Sequence, residues 1–194
     1  DLTNYYYFKN YFSDEEINKI FQISKKYLVL DGKVSTIVTN KYRSSKIKWL
    51  PNNTETKWLY DKIAKLVRKS NDKLWNFNIV GFGENIQIGE YIAEESGKYD
   101  WHLDTINNHN RLITMVYYVN KEPKNYIGGE ILFSNSPTYK GNLMEREPNK
   151  ISFTPENNTA YIFDSATAHC VLPTKSPKKF DDGRFSVNIW IGTK

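Results

Sequence analysis

A single cysteine, Cys170, is all that the 194-residue sequence carries, so no intrachain disulfide can staple it and nothing demands an oxidising compartment. No long uncharged apolar run is present, which leaves no candidate membrane span. No signal-peptide pattern stands at the start, so a cytoplasmic protein is expected, and the two Asn-x-Thr sequons at Asn52 and Asn157 read as chance. Internal repeats and low-complexity linkers are missing. So are a glycine-rich phosphate loop and a CxxC pair, which removes P-loop nucleotide chemistry and dithiol redox chemistry. Basic residues never run five in a row. Histidine is scarce, with His102, His109 and His169 the whole supply.

What is there supports one folded domain over 1–194. Hydrophobic residues make up 39% and aromatics 15%, enough apolar surface to offset the ordering entropy of a chain this size. The formal charge of +5 is mild and spread out. It reads as a solvated basic surface, with neither nucleic acid nor membrane expected as partner, and a monomer or weak dimer as the assembly.

Ser13-Asp14-Glu15-Glu16 is a capping-box sequence, followed by Ile17, Ile20, Phe21 and Ile23 at helical spacing, which predicts a helix over about 14–27. A second stripe of Trp58, Leu59, Ile63, Leu66, Val67 and Leu74 predicts a helix over about 54–74. Beyond Trp75 the pattern changes to short Ile-, Val-, Tyr- and Phe-rich runs separated by turn residues. Strands are expected near 77–81, 84–92, 98–103, 111–119, 129–133, 158–163, 168–172 and 184–191. The expected fold is therefore mainly β with flanking N-terminal helices, 1–75 as helical support and 76–194 as a β-core. Polar stretches at 134–150 and 175–182 are candidate lid loops.

His102 and Asp104 are two residues apart, and on a strand such residues share a face, roughly 7 Å apart along the backbone. A third ligand can come from His169 on a late strand. Two His and one carboxylate leave three positions open on an octahedral Fe(II). His109, in an Asn-rich stretch, reads as a loop residue. In Arg184-Phe185-Ser186-Val187-Asn188-Ile189-Trp190 the residues alternate, with Arg184, Ser186 and Asn188 on one face. If that face lines a barrel interior, Arg184 is a buried cation in need of an anion, and its planar fork suits a carboxylate. The strand around Gln87 divides likewise, Asn85, Gln87, Gly89 and Tyr91 opposing Ile86, Ile88 and Ile92. The Arg43–Trp49 stretch reads either as a contact for peptide or nucleic acid or as a lysine-guarded edge strand. Cys170 reads as a small buried hydrophobe, and Gly128-Gly129 as a close backbone approach.

From about Arg43 onward the chain resembles the prolyl 4-hydroxylase-like branch of the Fe(II)/2-oxoglutarate oxygenases. The matching pieces, in order, are Tyr42-Arg43-Ser44-Ser45, Gln87-Ile88-Gly89-Glu90-Tyr91, Gly97 to Asp104, Tyr117-Tyr118-Val119-Asn120, Gly128 to Phe133, His169 to Pro173 and Gly183 to Ser186. The resemblance implies a double-stranded β-helix, a cupin-like jelly roll, with His102, Asp104 and His169 on iron. It implies Arg184 as partner of the distal carboxylate of 2-oxoglutarate, with Tyr118 on the same carboxylate, Tyr91 near the cosubstrate or oxygen side and Asn188 near the metal end. Ser186 joins them on the cofactor-binding face. It further implies O2 as co-reactant, ascorbate as candidate reductant, and a prolyl residue of a peptide or protein as substrate. The animal collagen enzymes carry Lys where Arg184 stands, which places this chain nearer the bacterial, viral and oxygen-sensor types. Two rival readings stay open. One keeps the chemistry on a free amino acid, small metabolite or nucleobase, although Glu94, Glu95, Glu145 and Glu147 near the expected mouth disfavour a polyanion. The other is a metal-holding cupin module without turnover.

Overall fold

The computed structural model describes residues 5–32, 43–92, 95–106, 110–119, 126–134, 138–140, 143–145, 150–175 and 184–192. The chain enters through β1 (Tyr5–Lys9) and α1 (Asp14–Ser24), continues in β2 (Leu30–Asp31), β3 (Arg43–Ser44) and β4 (Lys46–Leu50), and then forms α2 (Lys57–Leu74). Next come β5 (Gly81–Phe82), β6 (Ile86–Tyr91), β7 (Lys98–His102), a 3-10 turn (Asp104–Ile106), β8 (Arg111–Val119), β9 (Ile127–Gly128) and β10 (Ile131–Ser134). The last third holds β11 (Thr138–Lys140), β12 (Leu143–Glu145), β13 (Lys150–Phe153), β14 (Thr159–Asp164), β15 (Ala168–Val171), β16 (Thr174–Lys175) and β17 (Arg184–Gly192).

Two antiparallel sheets make the body. The larger runs β1-β14-β8-β17-β6-β4-β2, with β5 added against β17, and the smaller runs β13-β10-β15-β7-β3. Strand alternation divides the larger sheet into two faces. Ile113, Met115, Tyr117 and Val119 of β8, with Ile86 and Ile88 of β6, pack against α1 and α2 through Ile17, Ile20, Leu59, Ile63, Leu66 and Val67. Val116 and Tyr118 of β8 look the other way, into a second cluster with Ile131, Phe133, Tyr161 and Phe163 between the sheets. The Phe133 and Phe163 rings meet edge-on at 4.8 Å within that cluster. Thus the large sheet is covered on both sides, and its inner face is free to carry polar groups.

Three local features depart from the sequence expectations. α1 ends at Ser24 rather than 27, because Lys26 and Tyr27 donate to carbonyls three residues back and tighten the last turn out of α geometry. The strand expected over 77–81 is reduced to β5, because both side-chain groups of Asn71 bond the backbone of Phe77 and take the groups a ladder would use. The N-terminal third is also less helical than expected, since β1 pairs with β14 and β4 with β6. β1 shows no alternation because both faces are aromatic: Tyr6 and Phe8 pack toward the helices and Tyr5 into the inter-sheet cluster.

The capping box is complete. The Ser13 hydroxyl accepts from Glu16 N at 3.1 Å, the Ser13 N–H donates to Glu16 Oε2 at 2.9 Å, and Glu16 also receives Lys62 of α2 at 2.8 Å. Ser13→Ala is therefore expected to cost about 1 kcal/mol, read as a lower urea midpoint with an unchanged slope. A midpoint equal to wild type would show that Lys62 alone holds Glu16 in place.

Candidate metal centre

β7 and β15 pair so that His102 lies directly opposite His169. Each ring is set by its own backbone: His102 Nδ1 lies 2.7 Å from the Asp100 carbonyl, and His169 Nδ1 lies 2.9 Å from that of Thr167. A carbonyl can only accept, so Nδ1 carries a proton in both rings, and Nε2 is the atom each ring presents to the site. Those Nε2 atoms lie 3.5 and 3.8 Å from Oδ1 of Asp104. One ligand atom from each of the three residues falls within 4.8 Å of the others, which is where a single cation would be held. Asp104 does not reach the site as a strand neighbour of His102. The strand ends at His102 and Asp104 opens the 3-10 turn, its N–H bonded to the Ser165 carbonyl and its own carbonyl to Arg111.

Burial by itself would raise the Asp104 carboxyl. His169, His102 and the Thr114 hydroxyl outweigh it and hold the group well below the usual carboxylate range, so it is an anion at neutral pH. Tyr99 stacks on His102 with ring centroids 3.6 Å apart, and burial pushes its hydroxyl up to about 12, so it stays neutral and able to donate. Phe163 meets His169 edge-on at 4.9 Å.

Tyr91, Tyr118 and Gln87 are buried and line a cavity of about 30 Å³ beside the triad, as alternation predicts for Gln87 and Tyr91 and the resemblance implies for Tyr118. The side chains of β17 lie outside the described residues, and Arg184, Ser186 and Asn188 are placed by backbone register alone. Arg184 pairs with Tyr91, Ser186 lies between Gly89 and Tyr118, and Asn188 between Gln87 and Val116. His109, Glu94, Glu147 and residues 176–183 lie outside the described residues, and 134–150 is described only in part.

Arg43 is the residue that sequence reasoning left undecided. It occupies the edge strand β3 as one reading expected, yet it turns inward and is only 7% exposed. Its Nε donates to Ser45 Oγ at 2.8 Å, its Nη2 to Gln87 Oε1 at 3.1 Å, and its guanidinium lies 4.7 Å from the Tyr99 ring centre. It separates the triad cavity from a polar outer cavity of about 290 Å³ lined by Asp31, Ser44, Ser45, Lys46 and Glu95. No period-two signal could show this inward turn, because β3 is only two residues long. Gly128 behaves as expected, with a φ of +78° and a Cβ position only 2.3 Å from the Pro173 carbonyl oxygen. Cys170 is buried.

Two antiparallel sheets closing over a largely buried set of two imidazoles and one carboxylate define the facial-triad class of cupin-like proteins. The chain belongs to the 2OG-Fe(II) oxygenase superfamily, whose sequence model matches residues 86–192. It is 30% identical over 192 residues to an uncharacterized PKHD-type hydroxylase of Synechocystis sp., covering 96% of this chain and 62% of that relative's length. Among solved structures, a Trichoplax adhaerens prolyl hydroxylase in complex with a hypoxia inducible factor peptide fragment superposes with a TM-score of 0.76 at 18% identity, covering 98% of this chain and 84% of that one. A Pseudomonas putida prolyl-4-hydroxylase gives 0.71 at 15% identity, covering 98% and 93%. At these identities the likeness is one of fold. No helix among the described residues is long and apolar enough to cross a membrane.

Proposed function

We propose that this protein is an Fe(II)- and 2-oxoglutarate-dependent hydroxylase acting on a prolyl residue of a peptide or protein. The convergence of His102 Nε2, Asp104 Oδ1 and His169 Nε2 in a buried pocket carries the reading. The donor set fits the ion: two neutral nitrogens and one anionic oxygen suit Fe(II) and leave three positions for exchangeable ligands. An Fe(II) held there would activate O2 as the oxidant for C–H hydroxylation, with 2-oxoglutarate supplying two electrons and leaving as succinate and CO2.

The chain's own part is binding, orientation and exclusion of water. Arg184 is assigned to the distal carboxylate of 2-oxoglutarate, with Tyr118 beside it. Support comes from the register, which brings position 184 next to Tyr91 and position 186 next to Tyr118. Tyr91 lines the cavity, and Ser186 and Asn188 are assigned to the same side on the register of their strand. Arg43, buried yet bonded among the described residues to neutral acceptors, can address a carbonyl of the substrate chain without giving up a carboxylate partner. The peptide held by the Trichoplax structural relative favours a peptide here over a free metabolite.

An anaerobic titration of apoprotein with Fe(II), then 2-oxoglutarate, followed by visible absorption, tests the reading. A weak charge-transfer band that needs both additions is expected. Arg184→Ala should raise the 2-oxoglutarate concentration needed for half of that band by about tenfold to a hundredfold, the loss of one charged hydrogen-bonded contact. Unchanged affinity would remove Arg184 from the site, and no band in a folded, metal-loaded protein would favour the non-catalytic cupin. Peptide hydroxylation read by mass spectrometry then separates prolyl peptides from small molecules.

A further inference from the structure

Thr114 interrupts the apolar run Leu112-Ile113-Thr114-Met115-Val116 at the middle of β8, and its side chain is 2% exposed. A hydroxyl so placed needs a partner. It donates to Oδ2 of Asp104 at 2.6 Å, and the Ser165 hydroxyl lies 2.9 Å from it. Ser165 is itself completely buried and tied at both backbone ends: its carbonyl accepts from Asp104 N at 3.2 Å, and its N–H donates to the Leu112 carbonyl at 3.0 Å. On the other side, Arg111 donates to the Asp104 carbonyl at 3.1 Å while its fork grips Glu84 with two bonds of 2.6 Å. Backbone and carboxylate of Asp104 are therefore held independently.

The two carboxylate oxygens are thereby made unequal. Oδ2 is occupied by Thr114, and only Oδ1 faces the two histidine Nε2 atoms. We propose that the Thr114–Ser165 hydroxyl pair is a positioning device that makes Asp104 a one-oxygen metal ligand. This rests on the proposed function, and it has a consequence for coordination number. Three single-atom ligands would leave three positions on an octahedral ion for exchangeable ligands. A carboxylate that swung round to bind through both oxygens would consume one of them. A hydrogen bond to Oδ2 opposes that rotation and fixes the orientation of the ligand, as outer-shell partners do in metal sites generally.

The test uses Co(II) as a spectroscopic probe of the intact chain, with Thr114→Val, Thr114→Ser and Ser165→Ala compared with wild type. Thr114→Val is expected to weaken Co(II) binding about 10–100-fold by calorimetry and to alter the visible d–d spectrum, the sign that geometry and not only affinity has changed. Thr114→Ser should restore both, and Ser165→Ala should fall between Val and wild type. Wild-type affinity and spectrum in Thr114→Val would overturn the proposal. Equal impairment of the Val and Ser variants would also overturn it, because the lost quantity would then be packing and not the hydroxyl. The parent reading fails separately: wild type that binds Co(II) with these variant effects, yet decarboxylates no 2-oxoglutarate when loaded with Fe(II), keeps the positioning role and loses the oxygenase. Wild type that binds no Co(II) loses both.

Discussion

Asp104→Ala is expected to abolish 2-oxoglutarate turnover, with a loss well beyond the roughly 10–100-fold typical of outer-shell partners. The carboxylate is the one anion among the three converging ligand residues, so its removal leaves a dication facing two neutral imidazoles. It also leaves the Thr114 hydroxyl turned toward an apolar methyl with its acceptor gone. Asp104→Asn separates the two effects. The amide preserves the shape and can still accept from Thr114, but it brings no charge to the metal. Both variants should fold, because the Asp104 backbone is held by Ser165 and Arg111 whatever the side chain. Succinate formation and Co(II) calorimetry on the same preparations decide the matter. Turnover retained in either variant at a tenth of wild type or more would remove Asp104 from the metal, and with it the triad.

Much of this site was legible because strand periodicity is a strict rule. The polar set Gln87, Gly89 and Tyr91 lies on the face opposite Ile86 and Ile88, as alternation demands, and the helices cover the apolar side. The His-x-Asp pair was legible for a reason only half right. The spacing pointed to a shared strand face, whereas the strand stops at His102 and a 3-10 turn delivers Asp104. What fixes that turn is tertiary: a carbonyl of Ser165, sixty-one residues downstream, and the Arg111–Glu84 pair. No local pattern reports such bonds. β1 escaped for the opposite reason, since Tyr5-Tyr6-Tyr7-Phe8 carries aromatics on both faces and period two disappears when both faces are covered. Arg43 shows a third limit: whether a short charged strand is an edge guard or a pocket wall depends on which way its side chain faces, and a two-residue strand cannot declare that by pattern.

Asn158→Ala should destabilise the fold by about 3–5 kcal/mol. Asn158 holds the start of the chain onto the sheet. Its Nδ2 donates to the Phe12 carbonyl at 2.6 Å, its Oδ1 accepts from Phe12 N at 3.4 Å and from the Tyr117 hydroxyl, and its own carbonyl accepts from Asn10 N at 2.8 Å. Burial pushes the Tyr117 hydroxyl up to about 12, so it remains a donor across the working pH range. Alanine would leave the Phe12 carbonyl without its Asn158 donor and the Tyr117 hydroxyl without its acceptor in a buried setting. It would also have to adopt a φ of 55°, which costs a residue with a Cβ about 1–2 kcal/mol. Asn158→Gly loses the same bonds but not the backbone term, so it should be milder than Ala by roughly that amount. Tyr117→Phe keeps the two Asn158–Phe12 bonds but loses the one that Phe12 N donates to the Tyr117 hydroxyl at 3.3 Å, and should cost about 1–2 kcal/mol. Urea midpoints compared at equal slope give the order. An alanine variant no weaker than the glycine variant would refute the backbone part, and one within 1 kcal/mol of wild type would refute the clamp. The consequence for chemistry follows from adjacency: Tyr117 and Tyr118 are neighbours on opposite faces of β8, so a strand loosened on its helix side moves the pocket wall on the other.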